Sequence, residues 1–322
     1  MIIDAHVHLV GSGWVRGKFL QSSSRAFASR YNRVHGTNLT PSEYLDQVSR
    51  KYIDPNADEL VKTMDKAGID VAVIFSVDWA PLTGEARVTN KEVNHHFAEV
   101  AKRHPGRFWP LCALDPRRGD VLEQAKVAIE EWGMKGFKLM PSAGFYPNDP
   151  VCFPLYEKCA EWGVPVMTHS GGWEIHWEYA QPMYIASAAE AYPDVNFIMA
   201  HAGLESWQQA LLAASIMPNI FLDISITGQW EYRLHPEEFY RWLRNLVDQA
   251  GPEKILFASD WPGPNSWTPL AKWVAAIREP KTKIKFSAEE REIILSRAAQ
   301  KAFGIPDNFR DSQEKNSAEV KV

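Results

Sequence analysis

The sequence predicts a (β/α)8 barrel of the TIM type, with a long loop insertion after the first strand. Three observations predict it. Short apolar runs alternate with helical stretches from residue 2 to about residue 304, which is the grammar of parallel β-α-β units. A chain of 322 residues exceeds a minimal domain but fits a single barrel. No Gly-x-Gly-x-x-Gly follows any strand, as an open dinucleotide-binding sheet would require.

The first strand is Ile2-Ile3-Asp4-Ala5-His6-Val7-His8-Leu9-Val10. Its alternation puts Asp4, His6 and His8 on one face and Ile3, Ala5, Val7 and Leu9 on the other. Residues 11–53 then form a long connection carrying Arg16, Arg25, Arg30 and Arg33. A connection this long is either a functional cover or disordered. Thr40-Pro41-Ser42-Glu43 has capping-box spacing with proline at the first helical position, so part of it is helical. Seven further strands follow at Val71–Phe75, Phe108–Leu114, Gly136–Met140, Val164–His169, Val195–His201, Ile220–Ile224 and Ile255–Ser259. Helices separate them, several stopped by glycine at Gly68, Gly133 and Gly163. The barrel is expected to occupy residues 1–306, with 11–53 as a lid, and the polar stretch 307–322 to be a disordered tail.

Composition narrows the function. A net charge of -5 argues against nucleic acid or an anionic membrane as partner. No apolar run would span a bilayer. A strand starting directly after Met1 leaves no room for a signal peptide. Cys112, Cys152 and Cys159 have no metal-type spacing and suit a reducing compartment, so a cytoplasmic enzyme of a small molecule is expected, with a homo-oligomer compatible.

In such barrels the chemistry sits at the C-terminal ends of the strands. There the sequence places His6 and His8, Lys138, His169, His201 and Asp260, each at the end of an apolar run. One such residue is readily a satisfied polar group at the rim. The recurrence on five strands points to a metal site, because neutral imidazole is the commonest protein ligand for zinc and its neighbours. Trp173, Trp177, Trp230, Trp261 and Trp267 on the mouth loops would either line a planar-walled pocket or pack loops onto the barrel. His95, His96 and His104 fall on one helix and read as solvated or packing residues, whereas His35 and His235 could reach the mouth.

The motifs Asp4-Ala5-His6-Val7-His8, Gly136-Phe137-Lys138-Leu139, Thr168-His169-Ser170-Gly171, Ala200-His201-Ala202-Gly203 and Ser259-Asp260-Trp261-Pro262 together resemble the amidohydrolase superfamily. They look closest to the amidohydrolase-related branch that includes aminocarboxymuconate-semialdehyde decarboxylase and aromatic-acid decarboxylases. The resemblance implies metal ligation by His6, His8, His169 and Asp260, with His201 binding a second metal or acting as acid/base. Lys138 departs from the decarboxylase pattern. Hydrolases of the superfamily often carry a lysine there, carbamylated to bridge two metals.

These readings lead to a metal-dependent hydrolase of a small cyclic or aromatic substrate. Zinc, or manganese in its place, would activate water in a site of one or two ions. Asp260, His201 and Lys138 would be catalytic, and Arg16, Trp173 and Trp261 would bind substrate. Lys138 reads equally as a carbamate bridge or as a cation anchoring a carboxylate. The alternative is non-oxidative decarboxylation with one metal, His201 managing the proton and Arg16 or Lys18 holding the acid. A non-catalytic metal-binding protein is the reading from another class. Asp4 is expected to accept hydrogen bonds behind the ligands.

Overall fold

The computed structural model describes residues 1–172 and 175–310, the side chains of residues 17–23 excepted. Its strands are β1 (Ile3–Val7), β2 (Val71–Ile74), β3 (Phe108–Pro110), β4 (Cys112–Ala113), β5 (Phe137–Leu139), β6 (Val166–Thr168), β7 (Phe197–Met199), β8 (Ile220–Asp223) and β9 (Ile255–Leu256). All neighbouring pairs are parallel. β3 and β4 form one stave broken at Leu111, whose N–H still donates to Ile74 O at 2.9 Å while Cys112 N donates to Gly136 O at 2.9 Å. Eight staves therefore remain.

The barrel closes between the last stave and the first. Ala5 N donates to Phe257 O at 3.0 Å, Asp260 N to His6 O at 2.8 Å and His8 N to Trp261 O at 2.8 Å. Alternation along each strand sorts the apolar residues into two layers. Val71, Val73 and Phe75 pack inside with Ile198 and Phe221, and Ala72 and Ile74 pack outward against the helices. The base of the barrel is plugged by the last helix, whose Phe303 reaches the inner layer. Phe309 follows it and packs on Trp109 with ring centroids 5.0 Å apart. Residues 307–310 thus belong to the folded body, where a disordered tail was expected. Residues 311–322 lie outside the described residues.

β1 departs from strict alternation. Its register against β2 shifts between Asp4 and Val7. Ile3 and Ala5 enter the inner layer, whereas Val7 and Leu9 join the outer one. An extra residue in a strand re-aims the side chains beyond it. The single face expected for Asp4, His6 and His8 is therefore split, with the two histidines at the mouth and Asp4 turned toward the neighbouring stave.

The connection after β1 is largely helical rather than a long loop. It forms α1 (Gly17–His35), stopped by Gly36 at φ 66°, and α2 (Pro41–Gln47), followed by a short 3-10 turn. The expected capping box is present at Thr40 and Glu43. α1 packs across the mouth: Phe27 lies 5.7 Å from Trp267, and the Arg30 guanidinium sits 5.0 Å over the Trp230 ring. Among the described residues no helix is long and apolar enough to cross a membrane.

Candidate active site

The strand ends and the α1–α2 cover enclose a cavity of about 480 Å³. Its floor carries His6, His8, Lys138, His169, His201 and Asp260, and its roof includes Phe27, Tyr44 and Tyr52. The barrel thus brings together every strand-end residue singled out from the sequence.

Three donor atoms converge on the floor. His6 Nε2 lies 3.1 Å from His8 Nε2, and both lie 3.1 Å from Oδ1 of Asp260. The other ring nitrogen of each histidine is already engaged. Nδ1 of His6 contacts Oδ2 of Asp223 at 2.8 Å, and Nδ1 of His8 contacts the carbonyl of Phe75 at 2.9 Å. A backbone carbonyl can only accept, so His8 carries its proton on Nδ1 and turns a lone pair inward. Neutral His6 bonded to Asp223 does the same. Three lone-pair donors in a triangle repel unless a cation or a proton sits among them, so the donor set fits a divalent metal ion. His169 stands in the same cavity, buried, with its Nε2 unpartnered. It does not belong to the 3.1 Å triangle.

Electrostatics agree with this geometry. Burial, the largest influence, lowers the pKa of His6, and Lys138 adds to this, but Asp223 and Asp260 outweigh both and hold His6 above its ordinary value. Burial dominates at His8 and lowers it. It also drives His169 well down, with His201 adding to the effect. Asp260 stays well below the usual carboxylate range despite burial, because His6 and His8 face it.

His6, His201 and Asp223 form a second close group. Hydrogen bonds tie it together. Oδ1 of Asp223 accepts from His201 N at 3.0 Å, from Ser225 N at 2.9 Å and from the Ser225 hydroxyl. Since the hydroxyl donates to Asp223, its oxygen accepts from Nδ1 of His201 at 2.8 Å. That leaves Nε2 of His201 as the lone-pair nitrogen. Burial first, then the charge on His6, lowers His201 to about 3, so its ring is neutral at pH 7. Asp223 was not singled out from the sequence, although it too is an acid ending an apolar strand.

His201 sits in strained backbone. His201, Ala202 and Gly203 are successive left-handed residues at φ 59°, 48° and 80°, and Leu204 follows at φ 48°. Each non-glycine residue there costs about 1–2 kcal/mol. Ile226 is strained as well, at φ 50° and ψ -68°. Its neighbours close a γ-turn through Thr227 N donating to Ser225 O at 2.5 Å.

Other expected site residues lie elsewhere. Arg16 is outside the cavity lining, its Nε donating to Glu85 O at 2.7 Å on the surface. Trp261 is buried in the outer layer beside Val7 and does not line the cavity. Trp173 lies outside the described residues, and the side chain of Lys18 is not described. Asp4 accepts from Ser259 N at 2.9 Å and His6 N at 3.3 Å. It staples two staves instead of buttressing an imidazole, and burial lifts its carboxyl to about 7.

Comparison with known proteins follows the same outline. A family model described as amidohydrolase matches residues 3–305. A 2-amino-3-carboxymuconate-6-semialdehyde decarboxylase from Dictyostelium discoideum is 22% identical over 347 residues, covering 95% of this chain and 92% of that protein. The crystal structure of 5-carboxyvanillate decarboxylase from Novosphingobium aromaticivorans, complexed with manganese and 4-hydroxy-3-methoxy-5-nitrobenzoic acid, is similar with TM-score 0.67 and 16% identity, covering 94% of this chain and 96% of that one. A dihydroxybenzoic acid decarboxylase from Polaromonas, with bound manganese and 2-nitroresorcinol, gives TM-score 0.65 and 17% identity, covering 94% and 97%.

These relatives overturn the expectation of a hydrolase using metal-activated water: they are decarboxylases, the class the sequence offered as the alternative. Zinc is not singled out either, since both related structures hold manganese. The extent of the family match, from β1 to the last helix, places the chain in the amidohydrolase family.

Proposed function

We propose that this protein is a metal-dependent decarboxylase that removes CO2 without oxidation from a small aromatic or muconate-type acid. The observation that carries the reading is the single triangle of lone-pair donors, with His201 beside it but engaged elsewhere. The decarboxylase names of the relatives support it. A divalent cation held by His6, His8 and Asp260, with His169 at hand, would anchor the substrate's carboxylate and hydroxyl oxygens as a Lewis acid. Manganese is the first ion to try and zinc the second.

The residues account for the proton. Neutral His201, protonated on Nδ1, offers a lone pair at Nε2. It takes the proton of a substrate hydroxyl and delivers it to the carbon bearing the carboxylate. The bond to the carboxylate carbon then breaks, its electron pair restores the conjugated system and CO2 leaves. Asp223, reached through Ser225, stabilises the imidazolium while it exists. Lys138, its Nζ 5.0 Å over the Phe75 ring, is favoured as an ammonium, because an aromatic face attracts a cation and repels a carbamate anion. It is then placed to hold the acid's negative charge, and one ion suffices.

The reading is tested by incubating manganese-loaded protein with a panel of hydroxybenzoates and carboxymuconates, and with lactones and amides as controls. CO2 and the decarboxylated acid are expected from at least one of the acids. Turnover confined to the lactones or amides would sink the proposal.

A further inference from the structure

The strained turn that carries His201 is clamped by two hydroxyls that touch no expected metal ligand. Ser170, fully buried, donates through Oγ to Ala200 O at 2.5 Å and accepts from Gly203 N at 3.1 Å. It thus grips the residue before His201 and the second residue after it. Thr227 donates through Oγ1 to His201 O at 2.9 Å, and Oδ1 of Asp223 takes His201 N at 3.0 Å. Side chains of three residues from other staves, Ser170, Thr227 and Asp223, thus bind the backbone of the left-handed stretch. Room for the turn comes from Gly171, where a Cβ would lie 2.4 Å from Gly203 O and 2.6 Å from the Cβ of Leu204.

A right-handed path through 201–203 would relieve the strain and swing the imidazole away from its position 4.9 Å from the His6 ring. The clamp therefore sets where the ring points. We infer that Ser170 is a positioning residue for the reaction: it holds Ala200–Gly203 in the left-handed turn that aims His201 Nε2 into the cavity. The inference rests on the proposed role of His201 in proton transfer. Ser170 itself touches neither the reacting atoms nor the donor triangle.

The test compares Ser170→Ala, Ala202→Gly and the double variant, all manganese-loaded. Glycine adopts the left-handed region without a Cβ penalty, so Ala202→Gly should make the turn less dependent on its clamp. Ser170→Ala is expected to lower kcat roughly 10- to 100-fold, the scale of a misplaced catalytic group, with KM and metal content little changed. Adding Ala202→Gly should recover most of the lost kcat. Crystal structures should show the His201 ring displaced in Ser170→Ala and restored in the double variant. An undisplaced ring in Ser170→Ala, or a kcat loss that Ala202→Gly leaves unrecovered, overturns the inference. If the wild type decarboxylates no acid but the ring shifts and returns as described, the positioning stands and the decarboxylase reading fails.

Discussion

Oδ2 of Asp223 lies 2.8 Å from Nδ1 of His6, so an acid at the end of β8 fixes the ring of a candidate metal ligand on β1. The contact joins staves far apart in sequence and sets which His6 nitrogen faces the cavity. Partners of this kind keep a ligand's tautomer and orientation, and losing one typically costs 10- to 100-fold in metal affinity or activity. Asp223→Ala should therefore weaken manganese binding by about that factor, read by calorimetric titration of metal-free protein. Unchanged affinity would show that His6 is oriented without Asp223.

Metal binding should weaken as pH falls. The carboxylates of Asp223 and Asp260 hold His6 above its ordinary pKa against the opposing effect of burial, so in the metal-free protein a proton occupies the triangle up to a higher pH than for a free imidazole. Below that pKa the cation must displace the proton, and above it the competition disappears. Titrations in buffers of different ionisation enthalpy should report proton release on the acidic side of neutral. Affinity independent of pH between 5 and 8 would contradict the assignment of His6 as a ligand.

The cover should affect substrate more than metal. Phe27 of α1 lines the cavity roof and packs on Trp267. Phe27→Ala should raise KM about threefold to tenfold, as expected for losing part of a buried ring, while metal stoichiometry is unchanged. Steady-state kinetics beside metal analysis check this. Unaltered kinetic constants would mean that α1 does not close on the substrate.

Much of this was legible in the sequence because barrel staves announce themselves as apolar runs ending in a polar residue. His6, His8, Lys138, His169, His201 and Asp260 all reach one cavity for that reason. What alternation could not show was the shifted register of β1, which separates Asp4 from His6. Such an irregularity has no residue signature in Ile3–Val7. Nor could the sequence locate Trp261, whose neighbours Asp260 and Pro262 line the cavity while its own ring turns into the outer layer. Phe309 was lost among polar neighbours, although its ring packs on Trp109 while Arg310 pairs with Asp70 and Asp307 accepts from Gln300, which together anchor residues 307–310. Lys138 helped point the sequence toward hydrolysis, a reading the decarboxylase relatives overturn, and a residue type alone does not say that its amine lies over the face of Phe75.

One cation in the triangle of His6, His8 and Asp260 should be enough for decarboxylation, which is checked by adding manganese stepwise to metal-free protein and following CO2 release from a turned-over acid. The rate should rise linearly and level off at about one equivalent per chain, with no plateau of activity in His8→Ala. A rate that needs two equivalents, or CO2 release unaffected by removing the metal, would contradict it.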